Sequence, residues 1–61
     1  MDNKYQDLQI YNLKNHNTSV IREIEIKQII FNETEIVIDY IYNGIAITMI
    51  LPKLNNIITI D

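Results

Sequence analysis

The side chains that could act as an acid, a base or a nucleophile are few and scattered. The single histidine, His16, stands in the polar stretch KNHNTS, with Ser19 as a nearby nucleophile. A catalytic histidine needs a carboxylate to orient it, and the stretch supplies none. We therefore interpret His16 as a solvated turn residue and predict no catalytic residue.

Carboxylates occur in two closely spaced pairs. Glu23 and Glu25 share one side of a predicted strand, and Glu33 and Glu35 repeat that spacing beside a predicted turn. Alternation produces such pairs on any half-exposed strand, and the Gly-bearing, oxygen-rich loop of calcium sites is missing. A glycosidase-type acid and base would need a cleft on the order of 300 Å3, which so short a chain does not readily build. We predict no bound metal, no cofactor and no enzymatic activity.

Composition and charge exclude several classes of partner. A net charge of −3, with five scattered Lys and Arg residues, is wrong for binding a phosphate backbone, so we expect no nucleic-acid partner. The longest apolar run, YIYNGIAITMIL, is shorter than the roughly 20 residues of a membrane span. The start of the chain shows no basic region followed by an apolar one, and we expect a cytoplasmic protein without membrane contact.

The chain is short for the amount of apolar surface that it carries. Its 61 residues predict one small β domain, 1–61, divided into an N-terminal segment, 1–17, and an antiparallel meander, 18–61. A chain of this length hides only about 60% of its unfolded surface, so its core needs a supplement. There is no Cys for disulfides or thiolate zinc sites, yet 48% of the residues are hydrophobic. We therefore expect association with further copies of the chain to bury the remaining apolar surface and stabilise the fold.

The segment DYIYNGIAIT predicts a hairpin with a defined register. Asn43 and Gly44 are suited to the positive φ angles of a type I′ turn. The predicted opposed pairs are Tyr42–Ile45, Tyr40–Ile47, Ile38–Met49 and Ile36–Leu51 on one face, and Ile41–Ala46, Asp39–Thr48 and Val37–Ile50 on the other.

The register of the preceding strand, SVIREIEIKQIIF, is predicted from the requirement that no charged side chain lies on the apolar face. A loop over 32–34 keeps charge off the apolar face and sets Lys27 opposite Asp39, and it requires Asn32 to tolerate a left-handed conformation. The resulting pairs are Ile30–Ile36, Gln28–Ile38, Ile26–Tyr40 and Ile24–Tyr42.

The two ends of the chain complete the predicted fold. Pro52 ends one strand, and IITID forms a last strand after a turn. Near the N-terminus the pattern predicts either a short strand or a helical turn over residues 3–8. The fold class is therefore all-β: a small antiparallel sheet of about five strands, as a curled meander or a small barrel.

Both faces of the predicted sheet are apolar, which is unusual for a soluble sheet. Strand alternation assigns to the first face Ile24, Ile26, Ile30, Ile36, Ile38, Tyr40, Tyr42, Ile45, Ile47, Met49 and Leu51. The second face receives Ile29, Val37, Ile41 and Ile50, which would form an exposed apolar patch. We predict an interface made by these four residues with Tyr40 and Tyr42.

These features predict a non-catalytic protein-binding module that acts as a homodimer or higher homo-oligomer. Abundant Ile, Asn, Lys and Tyr indicate an AT-rich genome, so we expect a phage or mobile-element accessory protein that inhibits a host enzyme or defence factor. One alternative is a small-molecule-binding protein with a pocket at the subunit interface, where the tyrosines and Arg22 would recognise the ligand. Another is a structural subunit of a larger assembly.

Overall fold

The computed structural model describes residues 4–61, and all of their regular secondary structure is β. The strands are β1 (Gln6–Asn12), β2 (Asn17–Phe31), β3 (Glu35–Tyr42), β4 (Ile45–Pro52) and β5 (Asn56–Ile60). They form one antiparallel sheet in the order β4-β3-β2-β1-β5. The predicted all-β, five-stranded antiparallel fold is confirmed. The alternative of a helical turn is wrong for residues 4–8, where β1 begins, while Asn3 lies outside the described residues.

The long strand β2 joins two halves of the sheet. Its first part pairs with β1, which also pairs with β5, and its second part pairs with β3 in the hairpin with β4. We call these halves the β5–β1–β2 half-sheet and the β2–β3–β4 half-sheet. Because β2 belongs to both, a bend in this strand determines how the two halves face each other.

The sheet curls so that side chains from non-adjacent strands share one core. The fully buried side chains are Leu8 of β1, Ile24 of β2, and Ile36 and Ile38 of β3, with Ile10 and Tyr40 nearly buried. We call the side of the sheet that carries them the inner face and the opposite side the outer face. β4 and β5 remain the two edges and are not paired with each other, so the sheet is an open, curled meander rather than a closed barrel.

A first bulge bends β2 at Arg22 and Glu23. The β1 ladder pairs Leu8 with Ile21 but Gln6 with Ile24, so β2 carries one residue more than β1 here. Glu23 adopts a left-handed conformation with φ 57°. A bulge of this kind increases local twist, and it returns Ile24 to the inner face after Ile21.

A second bulge lies at Lys27 and corrects the predicted register between β2 and β3. Ile26 pairs with Tyr40 as predicted, but Gln28 pairs with Asp39, so Lys27 is the unpaired extra residue. The predicted pairs Lys27–Asp39, Gln28–Ile38 and Ile30–Ile36 are therefore wrong. The observed pairs beyond the bulge are Gln28–Asp39, Ile29–Ile38, Ile30–Val37 and Phe31–Ile36.

The turn between β2 and β3 also differs from the prediction. The main-chain N–H of Asn32 donates to the carbonyl of Glu35 at 2.8 Å, so the ladder extends to these residues and only Glu33 and Thr34 form the tip. Asn32 is not among the residues with positive φ, and its predicted left-handed conformation is wrong. The prediction placed the extra residue of this hairpin in the loop, whereas in the structure the extra residue is Lys27, in the bulge.

The β3–β4 hairpin has the predicted register throughout. Asn43 and Gly44 have φ 50° and 78°, as a type I′ turn requires. All of the predicted pairs, from Tyr42–Ile45 to Ile36–Leu51, are present.

Candidate functional site

The outer face of the β2–β3–β4 half-sheet carries an exposed row of aliphatic side chains. Ile30 of β2 pairs with Val37 of β3, which pairs in turn with Ile50 of β4. Val37 is half-buried between its neighbours, whereas Ile30 is 38% and Ile50 58% exposed. We call Ile30, Val37 and Ile50 the outer row. β-branched side chains opposite one another stabilise the strand pairing, but this row also leaves apolar surface in water.

A polar row separates the outer row from a second apolar position. Gln28, Asp39 and Thr48 lie opposite one another on neighbouring strands. The hydroxyl of Thr48 donates to Oδ1 of Asp39 at 2.8 Å. Beyond this row lies Ile41, which is half-buried. The outer face of one chain is therefore apolar, then polar, then apolar along the strands.

The structure separates the residues of the predicted interface. Val37, Ile41 and Ile50 are on the outer face, as predicted. Ile29 lies on the inner face, opposite Ile38 and packed against the core, so its predicted place in the outer patch is wrong. The cause is the bulge at Lys27, which exchanges the faces of Ile29 and Ile30.

The two tyrosines of the predicted interface also lie on the inner side. Tyr40 is only 6% exposed and belongs to the core. Tyr42 precedes the hairpin turn and is 42% exposed. Tyr40 is thus a packing residue, while Tyr42 still has surface that a partner can contact.

A charged cluster borders the outer face around Glu25, between the two bulges of β2. The ammonium of Lys27 contacts Oε2 of Glu25, and the ammonium of Lys4 lies 3.8 Å from Oε1 of Glu25. The hydrogen bond from Lys27 and the positive charges of both lysines lower the pKa of the Glu25 carboxyl, against an opposing effect of its partial burial. Glu25 is thus held ionised, and Lys27 is paired along its own strand rather than across to Asp39.

The shallow depression beside this cluster does not assemble catalytic groups. It measures about 410 Å3 and is lined in part by Glu23, Glu25 and the hairpin turn. Glu25 is neutralised by the two lysines. In the described part of the chain no group of three His, Asp or Glu side chains is arranged to hold a metal ion.

The histidine and the arginine are both engaged in local contacts. Nδ1 of His16 lies 3.0 Å from the hydroxyl of Tyr11, and His16 is exposed in the turn after β1. Ser19 instead pairs with Ile10 in the β1–β2 ladder. Arg22 forms an ion pair with Asp7 at 3.5 Å. The structure therefore brings His16 and Ser19 into no catalytic arrangement.

A second open cleft lies between the two half-sheets, near their asparagine-rich end. It measures about 440 Å3, and its walls include Asn12 and Asn56 on one side and Met49 and Leu51 on the other. The amides already hold the turns together. Nδ2 of Asn12 donates to Oδ1 of Asn56 at 3.1 Å, and Oδ1 of Asn12 accepts from the main-chain N–H groups of Lys14 and Asn15. These hydrogen bonds within the chain account for the positions of the amide groups, and no ligand is needed to explain them.

The chain matches no known family model, and no curated protein or solved structure is significantly similar to it. Among residues 4–61 there is no helix of the length and apolarity needed to cross a membrane.

Proposed function

We propose that this chain is a non-catalytic protein-binding module that works as a homo-oligomer and contacts its partner through the outer face of the β2–β3–β4 half-sheet. The observation that carries the proposal is the outer row, in which Ile30 and Ile50 remain 38% and 58% exposed although they are aligned with Val37. A contiguous apolar surface with polar surroundings is typical of protein interaction sites.

The chemistry of the rest of the surface supports a binding role over catalysis. Glu25 is paired with two lysines, His16 contacts a tyrosine hydroxyl, and Arg22 is paired with Asp7. These groups stabilise local structure, and no cleft brings an acid, a base and a nucleophile together among the described residues. The abundance of Ile, Asn, Lys and Tyr, which AT-rich codons would produce, supports the narrower proposal that the partner is a host protein bound by a phage or mobile-element product.

The experiment compares partner capture by two variants that carry the same new charge. Ile30→Lys places an ammonium in the outer row, whereas Val20→Lys places one at an exposed β2 position that is 43% accessible and lies in the other half-sheet. With immobilised chain and host extract, we expect Val20→Lys to retain the proteins bound by the wild type and Ile30→Lys to lose them. An unchanged set of bound proteins with Ile30→Lys would contradict the assignment of the surface.

A further inference from the structure

Within residues 4–61, the edge strand β4 leaves a defined set of main-chain groups without a neighbouring strand. Tyr42 and Ile45 close a two-residue turn and so form a hydrogen-bonded pair, after which bonding alternates along the hairpin. The residues whose main-chain groups bond to β3 are therefore Ile45, Ile47, Met49 and Leu51. Those whose N–H and C=O groups point away from the sheet are Ala46, Thr48 and Ile50.

From Ile45 to Leu51, before Pro52 ends the strand, this edge lacks the features that usually prevent strands from pairing with other molecules. From Ile45 to Pro52 the strand has no charged residue, and Ile45 and Ile50 are 62% and 58% exposed. Natural edge strands are normally short, charged or covered. The opposite edge, β5, has five residues against the eight of β4, and Asp61 follows it.

We infer that β4 pairs antiparallel with β4 of a second copy, about a two-fold axis at Thr48. In this register every outward N–H and C=O group of Ala46, Thr48 and Ile50 finds a partner, because Thr48 faces itself and Ala46 faces Ile50 of the second copy. On the inner face the pairs are Ile47 with Met49 and Ile45 with Leu51. All of these pairs are apolar or Thr–Thr, so the sequence of β4 is complementary to itself.

Electrostatic repulsion does not oppose this arrangement. The nearest like charges within the paired region are the two Asp39 carboxylates, which lie on the β3 strands. Three strand spacings separate them, about 14 Å, which exceeds the Debye length of about 8 Å at physiological salt. Self-pairing of β5 about Ile58 would instead place Asn56 opposite Ile60, and Asn56 is already bonded to Asn12 and to the carbonyl of Pro52.

The dimer has a consequence for binding that rests on the function proposed above. In one chain the polar row separates Ile41 from the outer row. In the dimer, Ile50 lies next to Ala46 of the second copy, which itself pairs with Ile41. Each outer row is therefore continued across the two-fold axis to Ile41 of the other copy, so that the apolar surface offered to the partner crosses five strands instead of three.

The first test measures mass in solution with two matched edge variants. Thr48→Lys places two ammonium groups opposite each other at the axis, whereas Thr59→Lys adds the same charge to the exposed edge strand β5. At tens of micromolar, we expect wild type and Thr59→Lys at twice the chain mass, and Thr48→Lys at the chain mass with its strand content preserved. A monomeric wild type, a dimeric Thr48→Lys or an open-ended series of masses would overturn the inference.

A second test reads the register directly and does not depend on a disruptive change. Because the chain contains no Cys, a single cysteine can only pair between copies. Opposed residues in a bonded antiparallel pair have Cα atoms about 5.5 Å apart, within the range for disulfides, so Thr48→Cys should cross-link under mild oxidation. Ala46→Cys is offset from its copy by about 13 Å and should not. Equal cross-linking of both would overturn the Thr48 axis.

The edge pairing and the binding surface fail independently in these experiments. If the wild type is a monomer while Ile30→Lys still abolishes capture, the edge pairing and the homo-oligomer are wrong, and the binding surface stands. If the dimer and the Thr48 cross-link form but capture is insensitive to Ile30→Lys, the binding surface is wrong and the edge pairing stands.

Discussion

Oδ1 of Asp7 accepts a hydrogen bond of 3.0 Å from the main-chain N–H of Glu23, the residue at which β2 bends. Glu23 has φ 57°, a conformation that costs a residue with a side chain roughly 1–2 kcal/mol. The main chain of Asp7 is also bonded to that of Asp61, at 2.9 and 3.0 Å. One residue of β1 therefore stabilises the bulge in β2 and holds the last residue of the chain.

Glu23→Gly should stabilise the protein, although glycine normally weakens a strand. Glycine adopts positive φ without strain, so we expect the free energy of unfolding in urea to rise by about 0.5–1 kcal/mol. Glu35→Gly, at an exposed position of β3 with negative φ, is the matched control and should lower it. A loss of stability in both variants would show that the strain at Glu23 is negligible.

Asp7→Ala should destabilise the protein by roughly 1–2 kcal/mol, because the N–H of Glu23 loses its acceptor. Asp7→Asn retains an acceptor oxygen and should lose less than Asp7→Ala. Urea titration of the three proteins measures the difference. If the asparagine variant were as unstable as the alanine variant, the ion pair with Arg22 would be the important contribution and the hydrogen bond would not.

The order of the inner-face isoleucines contained a signal for both bulges. Ile24 and Ile26 are two apart, as in a regular strand, but Ile21 precedes Ile24 by three and Ile29 follows Ile26 by three. Each interval of three residues on one face requires one extra residue in the strand. The predicted unbroken alternation of this strand instead places Ile29 on the outer face and Ile30 on the inner face.

Local turn chemistry explains why the β3–β4 hairpin was predictable and the β2–β3 register was not. Asn43 and Gly44 determine both the turn and the pairing of every residue that follows. No comparable signal marks the turn at Glu33 and Thr34, and the Lys27–Asp39 pair favoured the wrong register on the basis of a small charge interaction. The bulge instead lets Lys27 contact Glu25 and leaves Asp39 to accept from Thr48.

Gly44→Ala should test how strongly the turn specifies the hairpin. A Cβ at this position would meet no atom within 4 Å, so the effect comes from the backbone at φ 78° alone. We expect a loss of about 1–2 kcal/mol in the free energy of unfolding. Asn43→Gly, at the other positive-φ position of the turn, should change it by much less. Similar losses in both variants would mean that the side chain of Asn43 contributes as much as the backbone of Gly44.

The same substitution at two positions of the β3–β4 hairpin should separate core packing from surface. Ile38→Val removes a methyl group from a side chain that is fully buried, and should cost about 0.5–1.5 kcal/mol. Ile50→Val removes the same group at a position that is 58% exposed, and should cost less than about 0.5 kcal/mol. Both changes are made in the Thr48→Lys background, which we expect to be monomeric. Chemical denaturation of both proteins provides the comparison. Equal losses in the free energy of unfolding would show that Ile38 is not part of the apolar core.

Glu25 should make the stability of the protein depend on pH in the acidic range. Lys27 and Lys4 lower the pKa of Glu25 in the folded state below its ordinary value of 4.5, so folding favours the ionised carboxylate. The resulting stability is complete above the ordinary pKa and disappears as the pH falls through the folded-state value. We therefore expect Glu25→Gln to be less stable than the wild type at neutral pH and to approach it in acid.

Glu33→Gln, an exposed position without an ion pair among the described residues, should show a smaller pH-dependent difference. Because both lysines are largely solvent-accessible, salt should reduce the difference at Glu25, and a difference that persists unchanged in 1 M salt would contradict its assignment to the two lysines.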